Sequence, residues 1–346
     1  MKLYDLGAVS WQDSQLIYHT LPRLGHHGLI LLRPSTPYFC IGYHQDVEQE
    51  VDVAYCREHH IPIFRREVGG GAVYLDGQQL FFQLILPREH PLAAQTKERF
   101  YQQLLEPVVQ TYKAMGIDCR YKPVNDVITT QGRKISGTGA AEIAGHVILV
   151  GNLIADFNYE MMTRILRVPD EKYRDKVFKS MTENLSTIKR ELGAVPTWEE
   201  MSALLASEFA KVLGPLEPSA LPEGVQAKRD ELWAQFSTDE WLYKRGRRQA
   251  ERAVKIAAGT EVRQRMFKAP GGLIRALFVV KENKLGSVSL SGDFFIYPAD
   301  KLGELEAALE GVALEQAEAA IDAFYAANRI DSPGLTPADL AKVLVA

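Results

Sequence analysis

One stretch gives the sharpest signal in this chain, Arg65-Arg66-Glu67-Val68-Gly69-Gly70-Gly71-Ala72-Val73-Tyr74-Leu75-Asp76. Its three consecutive glycines lie between two apolar runs, so the backbone can approach a ligand closely and present successive N–H groups to an anion. Arg66 could direct its planar guanidinium at a carboxylate or a phosphate. A glycine-rich hairpin without a ligand explains the same residues when the stretch is taken alone. It is neither a P-loop nor a dinucleotide-binding fingerprint, because no GxxxxGK[ST] occurs and no GxGxxG opens a helix.

Short apolar runs on both sides of the glycines predict strands. We expect strands over residues 28–32, 38–42, 61–66, 71–75, 80–86, 124–130 and 147–155. The runs 71–75 and 80–86 predict a β-hairpin around Asp76-Gly77-Gln78. Apolar residues at helical spacing predict a helix over 93–115 that stops at Gly116.

The second half of the chain is richer in helix signals. Thr197-Trp198-Glu199-Glu200 is a capping box that opens a helix, and further helices are expected near 158–167 and 223–236. Around 243–254 the apolar pattern is lost and five basic residues cluster, namely Lys244, Arg245, Arg247, Arg248 and Arg252. We expect a solvated linker there, or a docking face for an acidic carrier. The prediction is a catalytic domain over residues 1–245 and an α+β accessory domain over 255–346.

A second chemical signal is Arg133-Lys134-Ile135-Ser136-Gly137-Thr138-Gly139. An ammonium beside hydroxyls and bare backbone suits phosphate binding, because it offsets charge that develops on an α-phosphate and a leaving pyrophosphate. A solvated lysine next to a turn is the competing interpretation.

Asn125-Asp126 is the third signal. Asp126 is a candidate Mg²⁺ ligand and Asn125 a candidate amide donor, although the pair also suits a plain turn.

Taken together, in this order and at this spacing, the three segments resemble the lipoate–protein ligase A family. The similarity extends through residues 151–156 and the segment 179–185, and more weakly over the C-terminal module. The resemblance implies a mixed β-sheet catalytic fold of the biotin/lipoate ligase type. It also implies ATP-dependent conversion of lipoate, or octanoate, to an acyl-adenylate, with Mg²⁺. The acyl group then passes to a lysine of a carrier, either a lipoyl domain or a glycine-cleavage-H-like protein.

The resemblance also implies roles for single residues. Lys134 matches the catalytic lysine and Asp126 the metal contact. The predicted substrate and acyl-adenylate set is Arg66, Gly69, Gly70, Gly71, Ala72, Val73, Tyr74, Asn125, Ser136, Gly137, Thr138, Val150, Gly151 and Asn152. Three departures affect substrate placement. Leu75 stands where the family usually has His, Val68 where it has Ser or Thr, and Val150-Gly151-Asn152 where it has His-Gly-Thr.

Other functions remain open at this point. Related acyltransferases that work through a thioester need a cysteine nucleophile, but the chain has Val147-Ile148-Leu149 at one such place and no cysteine near Asn125. Cys119 fits neither pattern. A biotin ligase would want a GRGRxGR-like loop. A non-catalytic binder that kept the fold is the third alternative, and absence of ATP–pyrophosphate exchange would distinguish it from a ligase.

Composition narrows the class of protein. A net charge of -4 argues against bulk electrostatic binding to nucleic acid or to anionic lipid. The start has no apolar signal segment and no apolar run approaches membrane-spanning length. The three cysteines, Cys40, Cys56 and Cys119, show no metal-ligand spacing, which favours free thiols in a reducing compartment. We therefore expect a soluble, cytoplasmic monomer.

Overall fold

The computed structural model describes residues 1–168, 171–246 and 260–345. Within these ranges the chain forms two compact units whose segments alternate along the sequence. The first unit comprises Met1–Phe39, Cys56–Pro62 and Val73–Gln235. The second comprises Cys40–Tyr55, Ile63–Ala72 and the described part of Phe236–Ala346. The predicted boundary between 245 and 255 falls mostly on residues 247–259, which lie outside the described ranges, and it stays a prediction.

Fourteen strands are described. They are β1 (Lys2–Val9), β2 (Gly28–Pro34), β3 (Tyr38–Ile41), β4 (Ile63–Arg65), β5 (Val73–Leu75), β6 (Gln79–Pro87), β7 (Cys119–Lys122), β8 (Asp126–Thr129), β9 (Lys134–Ile143), β10 (His146–Ile154), β11 (Glu217–Pro218), β12 (Thr260–Ala269), β13 (Gly272–Lys281) and β14 (Lys284–Gly292).

The described helices are α1 (Trp11–Arg23), α2 (Val47–Glu50), α3 (Val53–Glu58), α4 (Lys97–Ala114), α5 (Tyr159–Ile165), α6 (Glu171–Asn184), α7 (Ile188–Leu192), α8 (Trp198–Leu213), α9 (Val225–Phe236), α10 (Asp239–Leu242), α11 (Lys301–Ala308), α12 (Ala317–Asn328) and α13 (Pro337–Val345). A short 3-10 helix spans Leu314–Gln316. None of the helices in the described ranges has the length and apolarity needed to cross a membrane.

The first unit is built on a mixed eight-stranded sheet with the strand order β11-β1-β2-β6-β10-β9-β8-β7. Strand β1 runs parallel to β2 and β11, and the other neighbours are antiparallel. Helix α4 covers part of it and buries Phe100, Leu104, Leu105 and Tyr112, as the helical spacing predicts. The predicted α+β class with a mixed sheet is confirmed.

Strand β6 lies at the centre of this sheet, between β2 and β10. Eight of its nine residues are buried, including both Gln79 and Gln83. A strand that is apolar on both faces needs cover above and below and a partner on each edge. The predicted hairpin of 71–75 with 80–86 is therefore wrong: both strands exist, but β6 pairs with β2 and β10 instead of with β5.

The C-terminal part of the second unit is an antiparallel sheet, β12-β13-β14, with helices α11, α12 and α13 on one face. Every second residue of β13, such as Ile274, Ala276 and Phe278, points into a core shared with Leu302, Ile321 and Leu340. The turn at Glu282 and Asn283 has positive φ at both residues, which suits a two-residue hairpin. The predicted small α+β module is confirmed, and β12 is a strand that the pattern did not predict.

Helix α8 begins at the predicted capping box. The Thr197 hydroxyl accepts the Glu200 N–H at 3.2 Å, and the Glu200 carboxylate accepts the Thr197 N–H at 2.8 Å. Two N–H groups that the helix cannot satisfy internally are thereby paired.

Replacing Thr197 by Ala should lower the free energy of unfolding by about 1 kcal/mol, because one capping acceptor is lost. Thr197→Ser keeps the hydroxyl and serves as the control. Guanidinium unfolding followed by circular dichroism measures both. Equal midpoints for the Ala and Ser variants would show that the Thr197 hydroxyl contributes nothing.

Candidate active site

Lys134 opens β9, and its ammonium lies 2.6 Å from the Asp126 carboxylate at the start of the neighbouring strand β8. Both side chains are partly exposed, at 39% for Lys134 and 27% for Asp126. An ion pair of this exposure contributes about 1 kcal/mol or less to stability. Because both side chains are partly exposed, a ligand could reach both charges. The small stabilising effect of the ion pair alone does not explain why the two charges are placed together.

The pairing register of β8 and β9 determines where Lys134 points. Asp126 lies opposite Gly137 and Val127 opposite Ser136, but Ile128 lies opposite Lys134, so one residue of β9 is left over. The extra residue is Ile135, which is fully buried. A bulge of this kind bends the strand and re-aims its side chains. The backbone carbonyl of Lys134 also accepts the Ser186 N–H at 2.7 Å, which holds the start of β9 on the side where β10 no longer pairs with it.

Two hydrogen bonds between Asn125 and Thr138 join the start of β8 to β9, and we call this junction of the two strands the corner. The Thr138 hydroxyl donates to the Asn125 carbonyl at 2.5 Å, and the Asn125 side-chain amide donates to the Thr138 carbonyl. The Asn125 amide predicted to meet a nucleotide is therefore occupied by the protein in this structure. Its role here is to fix β8 against β9 beside Asp126.

Asn152 on β10 connects this corner to the centre of the sheet. Its side-chain oxygen accepts the Gly137 N–H at 3.0 Å, and its carbonyl accepts the Ser136 hydroxyl at 2.6 Å. Its amide donates to Gln79 at 2.7 Å, and Gln79 donates in turn to the Tyr74 carbonyl at 3.1 Å. Gln79 is a site residue that the sequence analysis missed. A glutamine inside a fully apolar strand run is the signal that could have found it.

Two glycines give this corner its shape. A Cβ at Gly137 would lie 3.4 Å from Lys134 Cε, so the lysine stem runs along bare backbone. A Cβ at Gly151 would lie 2.3 Å from Phe82 Cζ and 2.8 Å from Thr138 Cγ2. The ring of Phe82 is therefore able to cover β10 only because position 151 has no side chain.

The structure brings most predicted residues of the first unit together in one group, which we call the Lys134 cluster. Its members are Asn125, Asp126, Lys134, Ser136, Gly137, Thr138, Gly151 and Asn152. Val150 is half-buried next to it on β10, opposite Gly139. Tyr74 on β5 is connected to the cluster through its hydrogen bond with Gln79, and burial raises the pKa of the Tyr74 hydroxyl to about 12. The neighbouring Val73 is 36% exposed. In the described ranges no group of three or more His, Cys, Asp or Glu side chains is arranged to hold a metal.

The remaining predicted residues, Arg66 and the glycines, belong to the second unit and form what we call the Arg66 loop. Arg66 donates through one nitrogen to the carbonyls of Gly69 and Gly71, at 2.7 and 2.8 Å. Its guanidinium thus holds the loop closed on itself here instead of reaching outward. The Gly70 N–H donates to the Phe294 carbonyl at 3.2 Å, so one predicted anion donor also has a protein partner. Ala72, at the end of the loop, is partly buried.

Arg65, next to this loop in sequence, is a buried cation that no sequence pattern indicates. Its side chain is fully buried and donates to five backbone carbonyls, those of Gly42, Tyr43, Gln45, Trp241 and Leu242, at 2.7–3.2 Å. Burial lowers the pKa of the guanidinium to about 9. A buried cation with only neutral acceptors is costly unless its donors are satisfied, which explains the number of carbonyls around it.

The prediction of a solvated basic linker over 243–254 is wrong for Lys244 and Arg245, the two of its five basic residues that the structure describes. Arg245 is buried and forms an ion pair with Glu306 at 2.5 Å, and Lys244 donates to the Tyr43 hydroxyl at 2.6 Å. Both cations therefore serve packing within the second unit. Arg247, Arg248 and Arg252 lie outside the described residues.

A cavity of about 300 Å³ also lies in the second unit, on the face of β12-β13-β14 opposite the helices. Its lining includes Gln264, Arg275, Ser289 and Ser291. It contains none of the predicted site residues, so the Lys134 cluster stands as the candidate active site.

Comparison with known proteins fits this geometry. Residues 8–210 match the family model "Lipoyl protein ligase A/B catalytic domain". The chain therefore belongs to the family of lipoate–protein ligases and octanoyltransferases, which confirms the resemblance drawn from the three motifs.

Individual relatives carry both kinds of name. Octanoyltransferase LipM of Geobacillus kaustophilus is 24% identical over 61% of this chain and 84% of its own length. Lipoate-protein ligase A subunit 1 of Thermoplasma acidophilum is 28% identical over 58% of this chain and 79% of its own. A solved structure of the bipartite lipoate protein ligase of Thermoplasma acidophilum and its E2 lipoyl domain covers 70% of this chain and 95% of that one, with 27% identity and a TM-score of 0.61.

Gly151→Ala should destabilise the protein by about 1–3 kcal/mol, because its Cβ overlaps the Phe82 ring and forces the core to shift. Gly303→Ala in α11 is the control, since its Cβ would meet nothing closer than 3.7 Å and alanine favours a helix. Thermal unfolding followed by calorimetry measures both. A Gly151→Ala variant as stable as Gly303→Ala would contradict the packing described for β10.

Proposed function

We propose that this protein activates lipoate or octanoate with ATP and transfers the acyl group to a lysine of a lipoyl-type carrier protein. The observation that carries the proposal is the Lys134 cluster, an ammonium held 2.6 Å from a carboxylate on strands lined by Ser136, Gly137 and Thr138. The Ser136 and Thr138 hydroxyls and the Gly137 N–H have protein partners and hold these strands in place. The partly exposed Lys134 ammonium is the group that suits the phosphates of a nucleotide.

The chemistry balances in two steps. A carboxylate oxygen of the acid attacks the α-phosphorus of ATP, the bond to the β-phosphate breaks, and pyrophosphate leaves. The carrier's lysine amine then attacks the acyl carbon, AMP leaves, and one proton is released from the amine. Lys134 offsets the charge that builds at the α-phosphate in the first step, where a preformed cation is most effective. Arg66 and Gly69 to Gly71 stay predicted contacts of the acyl-adenylate.

Mg²⁺ fits the donors present at this corner. Mg²⁺ in nucleotide sites is commonly held by one or two carboxylates together with phosphate oxygens, and Asp126 supplies one partly exposed carboxylate. When bound, Mg²⁺ would neutralise phosphate charge. Asp126 also orients the Lys134 ammonium, which is its role in the protein alone.

The cysteines favour the ligase over a thioester transferase. Cys40, Cys56 and Cys119 are all buried. Burial raises the pKa of the Cys119 thiol to about 12 and also raises that of Cys40. A thioester mechanism needs an accessible thiolate near neutral pH, so none of the three thiols suits the nucleophile's role. The octanoyltransferase names among the relatives keep the transferase as the second candidate.

The proposed carrier is a lipoyl domain, with a glycine-cleavage-H-like protein as its counterpart in the same chemistry. Support comes from the solved archaeal ligase, which is described together with its E2 lipoyl domain.

Lys134→Ala should lower ATP-dependent acylation of an apo lipoyl domain by at least about 100-fold, because the preformed cation at the α-phosphate is lost. The measurement is the intact mass of the carrier after incubation with ATP, Mg²⁺ and lipoate or octanoate. Lys134→Arg keeps the charge and should retain part of the activity. Equal acylation by wild type and Lys134→Ala would overturn the assigned role. Acylation from an acylated carrier without ATP would replace the ligase by a transferase.

Cys119→Ala should keep carrier acylation within about threefold of wild type, since a buried thiol with a raised pKa is no nucleophile. Cys40→Ala and Cys56→Ala, assayed in parallel by the same mass measurement, extend the comparison to every cysteine of the chain. Abolished transfer in any one of the three, with the fold intact by circular dichroism, would favour the thioester route.

A further inference from the structure

The cavity on the face of β12-β13-β14 opposite the helices is formed by side chains that strand pairing brings together. Arg275 on β13 lies directly opposite Ser291 on β14. Two residues further along, Leu277 lies opposite both Gln264 and Ser289. Residues directly opposite each other in an antiparallel sheet have Cβ atoms about 5 Å apart. One face of the sheet therefore combines a cation, two hydroxyls, an amide and an apolar side chain within a cavity of about 300 Å³.

Four polar side chains of this cavity have no hydrogen-bond partner among the residues that the structure describes. They are the side chains of Gln49, Gln264, Ser289 and Ser291. Ser291 is the strongest case, because the residue is only 6% exposed. Buried polar side chains in proteins are hydrogen-bonded with few exceptions, since an unsatisfied group keeps the full cost of its desolvation. The Ser291 hydroxyl is therefore left for water or for a ligand within the cavity.

Arg275 also has donors to spare. One terminal nitrogen, Nη1, donates to Glu50, and in the described ranges Nε and Nη2 donate to no protein acceptor. The side chain is only 16% exposed. The edge of a guanidinium that carries Nε and one terminal nitrogen presents two parallel N–H groups, which match the two oxygens of a carboxylate. With the Ser291 hydroxyl beside it, this edge suits a carboxylate inside the cavity.

A negative group lines the same cavity. Asp46 is buried there, and Gln49 lies next to it with a side-chain oxygen that can accept a hydrogen bond. Burial raises the pKa of the Glu50 carboxyl, Arg275 opposes the rise, and Asp293 and Asp46 add to it. The carboxylate of Asp46 thus adds negative charge beyond that of Glu50, which already neutralises Arg275. This part of the cavity favours an ammonium.

We propose that the cavity binds a small zwitterion of the α-amino-acid class. The carboxylate of the ligand lies on Arg275 and the Ser291 hydroxyl, and its ammonium lies near Asp46 and the Gln49 side-chain oxygen. A plain anion would meet the Asp46 carboxylate and a plain cation the guanidinium, so a ligand with both charges is the best match. The volume is at the lower limit for ligand sites, which restricts the ligand to a small molecule. The site shares no residue with the Lys134 cluster, and the inference does not depend on the proposed function.

Isothermal titration calorimetry of the full chain with each standard L-amino acid, without ATP or acyl substrate, tests the site. We expect at least one amino acid to bind with a single-site isotherm. Acetate and methylamine carry one charge each and should bind at least about tenfold more weakly, because each lacks one of the two charge-assisted contacts. Binding of no amino acid, or binding of acetate or methylamine as tight as that of the best amino acid, would overturn the zwitterion site.

Two serine variants locate the binding in this cavity without changing any charge. Ser291→Ala removes one hydroxyl and should raise the Kd of the best amino acid at least about threefold. Ser289→Leu places an apolar side chain in the cavity and should raise the Kd at least about tenfold, because it takes the ligand's space. Unchanged binding in both variants, with the fold intact by circular dichroism, would place the ligand elsewhere.

The role of the guanidinium is tested by Arg275→Gln/Glu50→Gln, which removes both members of the ion pair so that no buried charge is left alone. We expect the Kd to rise at least about tenfold. Arg263→Gln is the matched control, because Arg263 lies on the other face of the same sheet and also pairs with one carboxylate, that of Glu261. An equal loss of binding in this control would contradict the assigned contact.

Discussion

The corner between β8 and β9 depends on a single irregularity in strand pairing. One extra residue, the buried Ile135, shifts the register between Val127 and Ile128, and Lys134 and Asp126 face each other across it. Hydrogen bonds donated by the Thr138 hydroxyl and the Ser186 N–H, and one accepted by the Asn152 side chain, fix the strands on each side of the shift. A cation and a carboxylate on a rigid sheet need no rearrangement when charge develops next to them, which is the property that electrostatic catalysis requires.

The family fold accommodates two chemistries, and residues of this chain favour one of them. Ligases and octanoyltransferases both move a medium-length acyl group to a carrier, but only the thioester route needs a reactive thiol. Here each thiol is buried, and Cys119 lies on β7 with its sulfur 3.6 Å from the Val109 carbonyl. Under the proposed function the activated acid comes from a nucleotide, and the ammonium of Lys134 meets its α-phosphate. The distinction depends on single side chains, which the overall fold does not determine.

The sequence predicted the parts of the fold whose signals are local. The capping box at Thr197, the amphipathic helix α4 and the strand pattern around the glycines were recovered because propensity and periodicity agree there. Lys134 and Asp126 were separate local signals, and only the resemblance to the family grouped them with Gly151 and Asn152; their catalytic role stays a prediction. The hairpin at Asp76 failed because the partner of a strand is chosen by the whole sheet, and β6 is apolar on both faces.

Other features have no local signal at all. Arg65 and Arg66 are adjacent arginines with different environments. Arg65 is fully buried and donates to five backbone carbonyls, whereas Arg66 donates to carbonyls of the glycine loop. Nothing in the dipeptide indicates which arginine faces inward, because the answer depends on carbonyls of residues 42–45 and 241–242, which are distant in sequence. Buried polar networks of this kind are specified by tertiary packing.

Acid-dependent exchange of labelled pyrophosphate into ATP tests the central claim most directly, because it reports acyl-adenylate formation before any carrier is involved. The account predicts exchange that requires lipoate or octanoate and disappears in Lys134→Ala. Absence of exchange with both acids, in a folded wild-type protein supplied with Mg²⁺, would contradict it and leave the Lys134 cluster without the activating role assigned to it here.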